Sequence, residues 1–184
     1  MKTLMTTAAA MSLCAAPLFA ADSAEVLDTY ADIAQAGYED SLTTAKALQE
    51  AVDALIADPS QETLDAAREA WLAARVPYQQ TEVFRFGNAI VDDWEGKVNA
   101  WPLDEGLIDY VDATYGGPSD ENQFAGLNVI ATPTFTLSGE EVDASEITPD
   151  LISGTLHEAD GVEANVASGY HAIEFLLWGQ DLNG

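Results

Sequence analysis

The stretch from Val26 to Leu55 constrains this chain most, because apolar residues recur along it at steps of three or four. That spacing places them on one side of an α-helix and predicts a long amphipathic helix over residues 23–57. Ser23 is the predicted N-cap, and Asp58-Pro59 ends the helix. The predicted apolar face consists of Val26, Tyr30, Ile33, Gly37, Leu42, Ala45, Leu48, Val52 and Leu55.

A second helix is predicted from Gln61 to Gly87, with one apolar face that includes Leu64, Trp71 and Tyr78. Pro77 lies inside this pattern, and its missing N–H predicts a kink or a short break. Because the connection at residues 58–60 is short, the two helices are expected to be antiparallel neighbours.

The rest of the sequence, after residue 87, predicts two more main helices that complete a bundle. Residues 88–127 are less regular, with a short helical pattern over 104–111, and residues 129–137 predict an extended loop or a small β ribbon. Thr148-Pro149 predicts the start of one helix, and Gly161–Gly179 contains the last. The predicted fold is therefore all-α: a bundle of about four main helices with a long irregular crossover and a small ribbon.

The charge excludes several classes of function. The 184 residues include 32 acidic and 6 basic residues, for a formal net charge of −26. Such a surface repels nucleic acid and anionic membranes, and few cations are available to bind phosphate. The sequence also lacks the Gly-x-Ser-x-Gly and phosphate-loop motifs. A solvated acidic surface is the more common explanation of the charge, and a surface that gathers cations is the alternative.

The N-terminus predicts export. Residues 1–20 combine a short positive start, an apolar run and small residues before Ala21, as in a secretory signal peptide that is cleaved after Ala20. The apolar run is too short for a stable membrane span, and the mature chain, residues 21–184, has no transmembrane span. Cleavage also removes Cys14, the only cysteine, so the exported protein has no disulfide.

Near the other end of the chain, His171 and Glu174 are three residues apart on an apolar helix. Helical i, i+3 positions face the same way, so the two side chains can form a hydrogen-bonded core pair or contribute to a metal site. Spacing alone slightly favours the core pair. Without thiols, a metal site here would be rich in oxygen, which favours iron, manganese or calcium and allows zinc only among carboxylates. The His-Glu-x-x-His helix of common zinc proteases is absent.

Two other segments carry candidate residues. Tyr78, Glu82 and Arg85 can share a helix face, although a Glu–Arg surface pair would be the ordinary explanation. Asp104 follows the Trp101-Pro102 turn, where helix capping is the common role. The other histidine, His157, precedes Glu158 near a predicted helix end and is interpreted as a surface or C-cap residue.

Together these segments resemble the imelysin family, exported proteins also described as insulin-cleaving metalloproteinase-like or iron-regulated. Residues 169–174 match the family's Gly-x-His-x-x-Glu motif, and the blocks at 70–86 and 99–104 accompany it in the same order. The resemblance implies a helical-bundle protein of the periplasm or cell envelope that is linked to iron uptake. It also implies a metal site at His171 and Glu174, with Glu82 and Asp104 as further ligands and Tyr78 and Arg85 as supporting residues.

Two functions follow from the resemblance. The first is a binding protein for a metal ion or an iron chelate, which acts with other envelope components of iron uptake. The metal would be a divalent or ferric ion, with iron favoured. The second is a zinc metalloendopeptidase, in which Glu82 or Glu174 would act as general base. Family members are about twice this length and contain two related bundles. We therefore expect residues 21–184 to form the N-terminal half of such a protein and to expose apolar surface.

Overall fold

The computed structural model describes residues 22–182, so the predicted signal peptide at residues 1–20 lies outside the described residues. Two long helices come first: α1 spans Ser23–Ala57 and α2 spans Gln61–Thr81. The side chain of Asp22, rather than that of Ser23, caps α1 by accepting the Ala24 amide at 2.9 Å. A reciprocal capping box between Ser60 and Thr63 begins α2.

α1 and α2 pack against each other along a shared apolar core, as their short connection predicts. α2 continues through Pro77 as one helix, so the short break is absent, while the other form of the prediction, a kink at Pro77, stays a prediction. Proline removes one backbone hydrogen-bond donor from the helix. The burial of Ala74 and Tyr78 on either side of it keeps this segment helical all the same. The helix also ends earlier than predicted, at Thr81, and Glu82–Phe84 form a 3₁₀ turn.

The crossover contains more structure than the sequence predicts. Helix α3 spans Ala89–Val98, and the single helical turn α4 spans Glu105–Ile108. The predicted ribbon is confirmed as a hairpin of β1, Thr134–Leu137, and β2, Glu140–Asp143. Its two-residue turn, Ser138-Gly139, has φ values of 52° and 86°, which match the twist of paired strands.

The predicted helix after Pro149 is only a five-residue π turn, Leu151–Thr155. The last helix, α5, spans Gly169–Trp178 and therefore begins eight residues later than predicted. The reason is Asn165, whose buried side-chain amide donates to the Ala159 carbonyl at 2.8 Å while its backbone carbonyl accepts the Glu158 amide N–H. These bonds hold the segment before Gly169 in an irregular loop, although Val162 and Val166 have helical spacing.

α5 is attached to α2 near both of its ends. The indole nitrogen of Trp71 donates to the Tyr170 carbonyl at 2.8 Å, and Arg68 donates through two nitrogens to the Leu177 carbonyl at 2.9 and 2.7 Å. The opposite side of α5 packs through Ala172 and Phe175 against the α4 region. α5 therefore lies between the helical hairpin and the crossover, in a fixed register with both.

Large apolar side chains remain exposed on α1, as the expected open apolar surface requires: Val26, Leu27, Tyr30, Ile33, Leu42 and Ile56 are each more than half exposed. Val26, Tyr30, Ile33 and Leu42 belong to the apolar face that predicts the helix, whereas Leu27 and Ile56 lie outside it, and α2 covers only part of that face. Within residues 22–182, no helix combines the length and the apolar character that crossing a membrane would require.

Candidate metal site at the start of the last helix

The backbone around Gly169 sets the position of the candidate site. Gly169 has φ +87°, a conformation that costs a residue with a side chain, and a Cβ there would lie 2.5 Å from the carbonyl oxygen of Val98. The neighbouring Ser168 hydroxyl donates to the Lys97 carbonyl at 2.9 Å. The first residues of α5 therefore lie directly against the C-terminal end of α3, which explains why a glycine fits at position 169.

His171 and Glu174 meet across one turn of α5. The imidazole Nδ1 lies 2.8 Å from Glu174 Oε2, and the side chains are 17% and 42% exposed. An ionised carboxylate only accepts hydrogen bonds, so Nδ1 carries the proton and donates it. In the described part of the chain, Nε2 has no hydrogen-bond partner. A carboxylate on one ring nitrogen and an open second nitrogen is the arrangement that orients a metal-binding histidine.

Trp101 covers one side of this imidazole. The two ring centroids lie 4.8 Å apart with an interplanar angle of 48°, and Trp101 itself is 66% exposed. An exposed indole on a partly exposed imidazole restricts the directions from which a ligand can approach His171.

A polar pocket of about 310 Å³ lies beside Trp101. Inside it, Arg85 forms an ion pair with Glu95 at 3.0 Å, and Asn99 donates to the same carboxylate at 3.1 Å. The pocket is thus built on a charge network rather than on apolar surface. It is lined by Arg85, Glu95, Gly96, Asn99, Ala100, Trp101, Pro102, Glu158, Glu163 and Val166.

The predicted face of Tyr78, Glu82 and Arg85 is not formed as an ion-paired helix surface. Because α2 ends at Thr81, Glu82 lies exposed in the 3₁₀ turn, and Arg85 pairs with Asp92 and Glu95 of α3 instead. Tyr78 is 2% exposed and packs on Tyr170, the residue before His171, with ring centroids 4.9 Å apart. Burial raises the pKa of Tyr78, and the charges of Glu95 and Glu82 raise it further, so its hydroxyl stays protonated.

Asp104 occupies the N-cap position of α4, but its side chain makes no capping hydrogen bond, contrary to the capping interpretation. Its carboxylate instead accepts the side-chain amide of Asn122, which also donates to Asn165 at 2.8 Å. Asp104 therefore holds the crossover together in this structure.

The sequence pattern does not single out the next residue, Glu105, because three acidic residues stand close together at 104, 105 and 109. Burial raises the pKa of the Glu105 carboxyl, and the negative charges of Glu174 and Asp181 raise it further. The glutamate of the histidine pair therefore has a second carboxylate in its neighbourhood. α4 is only four residues long, so its sequence has no periodic pattern from which the closeness of Glu105 and Glu174 could be predicted.

The four proposed ligands are not brought together as a ready-made cage. Over residues 22–182, no three histidine or carboxylate side chains are arranged to hold a metal ion. The site offers one imidazole and nearby carboxylate oxygens, without thiols, and this donor chemistry fits iron or zinc with part of the coordination supplied from elsewhere.

Comparison with known proteins agrees with the resemblance noted in the sequence. The imelysin family profile matches residues 34–184, which include the blocks at 70–86, 99–104 and 169–174. This chain belongs to the imelysin family. It is also 38% identical over 60 residues to "Iron-regulated protein A" of Synechococcus elongatus. That alignment covers 33% of this chain and 17% of the relative. The predicted family and the predicted mostly helical fold are both confirmed.

Proposed function

We propose that this imelysin is an exported protein of the periplasm or cell envelope that binds a metal ion or an iron chelate for uptake. The observation that carries the proposal is the Nδ1–Glu174 hydrogen bond of 2.8 Å, which leaves Nε2 of His171 open. In this proposal Nε2 is the metal-binding atom. Glu174 fixes the ring and its tautomer, and its second oxygen can join the coordination.

Carboxylates complete the donor set. Glu105 is one proposed addition, because burial first, and then the negative charge of Glu174, raises the pKa of its carboxyl. Asp104 joins when it exchanges the Asn122 amide for the cation, and Glu82 is the remaining carboxylate of the proposed set. Arg85 and Tyr78 support the site without touching the metal: Arg85 through Glu95, and Tyr78 through Tyr170.

The small number of protein donors supports an iron chelate as cargo, since a chelate brings ligands of its own. The net charge of −26 raises the local concentration of cations at the surface. The relative whose name describes it as iron-regulated supports a link to iron, and envelope components of iron uptake are the proposed partners. The predicted signal peptide supports export.

A zinc-dependent peptidase is the second candidate, because the family's own designation names a peptidase. In that case His171 would hold zinc, and Glu82 or Glu174 would act as general base on a bound water. The hydrogen bond between Glu174 and His171 supports an orienting role for Glu174, which leaves Glu82 as the better base.

Calorimetric titration with ferrous, zinc, manganese and calcium ions tests the proposal. We expect one binding site, strongest for iron or zinc, that is lost in His171→Ala and retained in His157→Ala as the matched control. Zinc-dependent cleavage of a protein substrate that disappears in Glu82→Gln would favour the peptidase. Equal metal binding by the wild type and His171→Ala would contradict both functions.

A further inference from the structure

Asn99 stands where three parts of the fold meet. It ends α3, and its side-chain oxygen accepts a hydrogen bond from Arg75 of α2. Its amide nitrogen donates to Glu95 at 3.1 Å, and Glu95 is held in turn by Arg85 at 3.0 Å. Both ends of the Asn99 amide are therefore engaged, so its orientation is fixed.

Arg75 connects this asparagine to the start of α5. Its guanidinium lies over the rings of Trp71, Tyr78 and Tyr170, at 5.6, 5.4 and 5.1 Å from their centroids. Tyr170 directly precedes His171, and Asn99 precedes Trp101 by two residues. One arginine thus contacts the chain on both sides of the Trp101–His171 stack.

Trp101 itself has little else to hold it. The indole is 66% exposed, so burial contributes little to its position, and its contact with His171 depends on the backbone that leads into it. That backbone leaves α3 at Val98, which lies against Gly169, and passes through Asn99.

We propose that Asn99 is a positioning residue that, together with Arg75, keeps the Trp101 indole against the imidazole of His171. This inference rests on the proposed metal-binding function, because the stack matters by restricting how His171 receives its ligand. Asn99 does not contact the cation. Losing its two side-chain hydrogen bonds releases the bend at Asn99, and the indole leaves the imidazole.

The test uses the aromatic-ring NMR signals of the two histidines in the metal-free protein. Trp101→Leu gives the His171 signals without the indole ring current. We expect Asn99→Ala to move the His171 signals toward those positions and to leave the His157 signals in place. Asn88→Ala is the matched control at the other end of α3, where the Asn88 side chain makes no capping hydrogen bond. It should leave the signals of both His171 and His157 unchanged.

Ferrous-ion affinity is the second readout, and Asn99→Ala is expected to weaken it about 10-fold, as loss of an orienting partner does. Asn99→Asp keeps an oxygen for Arg75 but places a carboxylate beside Glu95, so it should show a smaller shift in the same direction. If Asn99→Ala does not fold, Asn99→Asp decides the question.

Unchanged His171 signals in the folded Asn99 variants, with changed signals in Trp101→Leu, would overturn the positioning role. The two proposals can fail separately. The NMR shifts need no metal, so a wild-type protein that binds none would refute the proposed function and leave the effect of Asn99 on the stack measurable.

Discussion

The two histidines of this chain are each followed closely by a glutamate, yet only one of them forms a hydrogen bond with it. His171 donates to Glu174 at 2.8 Å and has an open second nitrogen. His157 is also mostly buried, with 15% of its side chain exposed, so it is not a surface residue, and the C-cap of the preceding π turn is Leu156 rather than His157. Its Nε2 lies 4.0 Å from Glu158, beyond hydrogen-bond distance, and its buried Nδ1 has no partner in the described part of the chain.

The difference comes from spacing and backbone. His171 and Glu174 are one helical turn apart, so their side chains point the same way. His157 and Glu158 are adjacent, and Glu158 has φ +52° in a turn, which directs the two side chains apart. A histidine oriented by a carboxylate can bind a ligand with its other nitrogen, whereas a buried histidine without a partner only fills space at some cost.

The largest effect is expected from Gly169→Ala, which disturbs the register that places His171. The new side chain must adopt φ +87° and would approach the Val98 carbonyl to 2.5 Å, so we expect a loss of about 3 kcal/mol or more in urea unfolding. The control is Gly96→Ala in α3, where a Cβ meets nothing within 4 Å. It should raise stability by roughly 0.5–1 kcal/mol. Equal unfolding midpoints for the two variants would contradict this explanation of Gly169.

Glu174→Gln tests whether the Glu174 carboxylate enables His171 to bind a metal ion. The variant retains the shape of the side chain but loses its charge, so we expect metal affinity to fall about 10- to 100-fold by titration calorimetry. Glu158→Gln is the corresponding change beside His157 and should leave affinity unchanged. If both substitutions weakened binding equally, the contrast between the two pairs would be wrong.

His157→Leu is expected to have a smaller effect on stability and none on metal binding. Replacing a buried group that lacks a hydrogen-bond partner by an apolar one of similar size is neutral or stabilising, here by up to about 1 kcal/mol. Thermal unfolding of the metal-free protein measures the change. A clear loss of stability would show that His157 has a structural partner after all.

The smallest effect concerns Glu105. Burial and the charges of Glu174 and Asp181 raise the pKa of this carboxyl in the folded state, so ionisation destabilises the fold as pH rises above the unfolded-state value. Glu105→Gln should therefore stabilise the metal-free protein at pH 7, by less than about 1 kcal/mol because solvent screens the charges. The gain should disappear when unfolding is measured at about pH 3.5, below the ordinary glutamate pKa. A gain that persists at that pH would point to packing rather than charge.

Local patterns in the sequence predicted the long elements well. The periodicity of α1 and α2, the punctuation at residues 58–60 and the i, i+3 spacing of His171 and Glu174 depend only on neighbours along the chain. The blocks shared with the imelysin family then pointed to His171 and Glu174 as a site. The two long helices and the His171–Glu174 spacing are found in the structure because tertiary packing favours the same local conformations.

The misses arise where distant residues decide the outcome. Asn165 holds its loop irregular through bonds to Ala159 and Glu158, and the early end of α2 sends Arg85 to partners in α3. Asp104 is engaged by Asn122, eighteen positions away. No local spacing encodes these contacts, so the sequence predicted the His171 pair but not its wider surroundings.

The most direct test of the central claim is the ¹⁵N NMR spectrum of the two histidine rings during titration with zinc as a diamagnetic probe. We expect the Nε2 signal of His171 to move on binding, with Nδ1 still protonated and hydrogen-bonded to Glu174, and both nitrogens of His157 to remain unchanged. A shift at His157 instead, or no shift at His171 at saturating zinc, would contradict the assignment of Nε2 of His171 as the metal-binding atom.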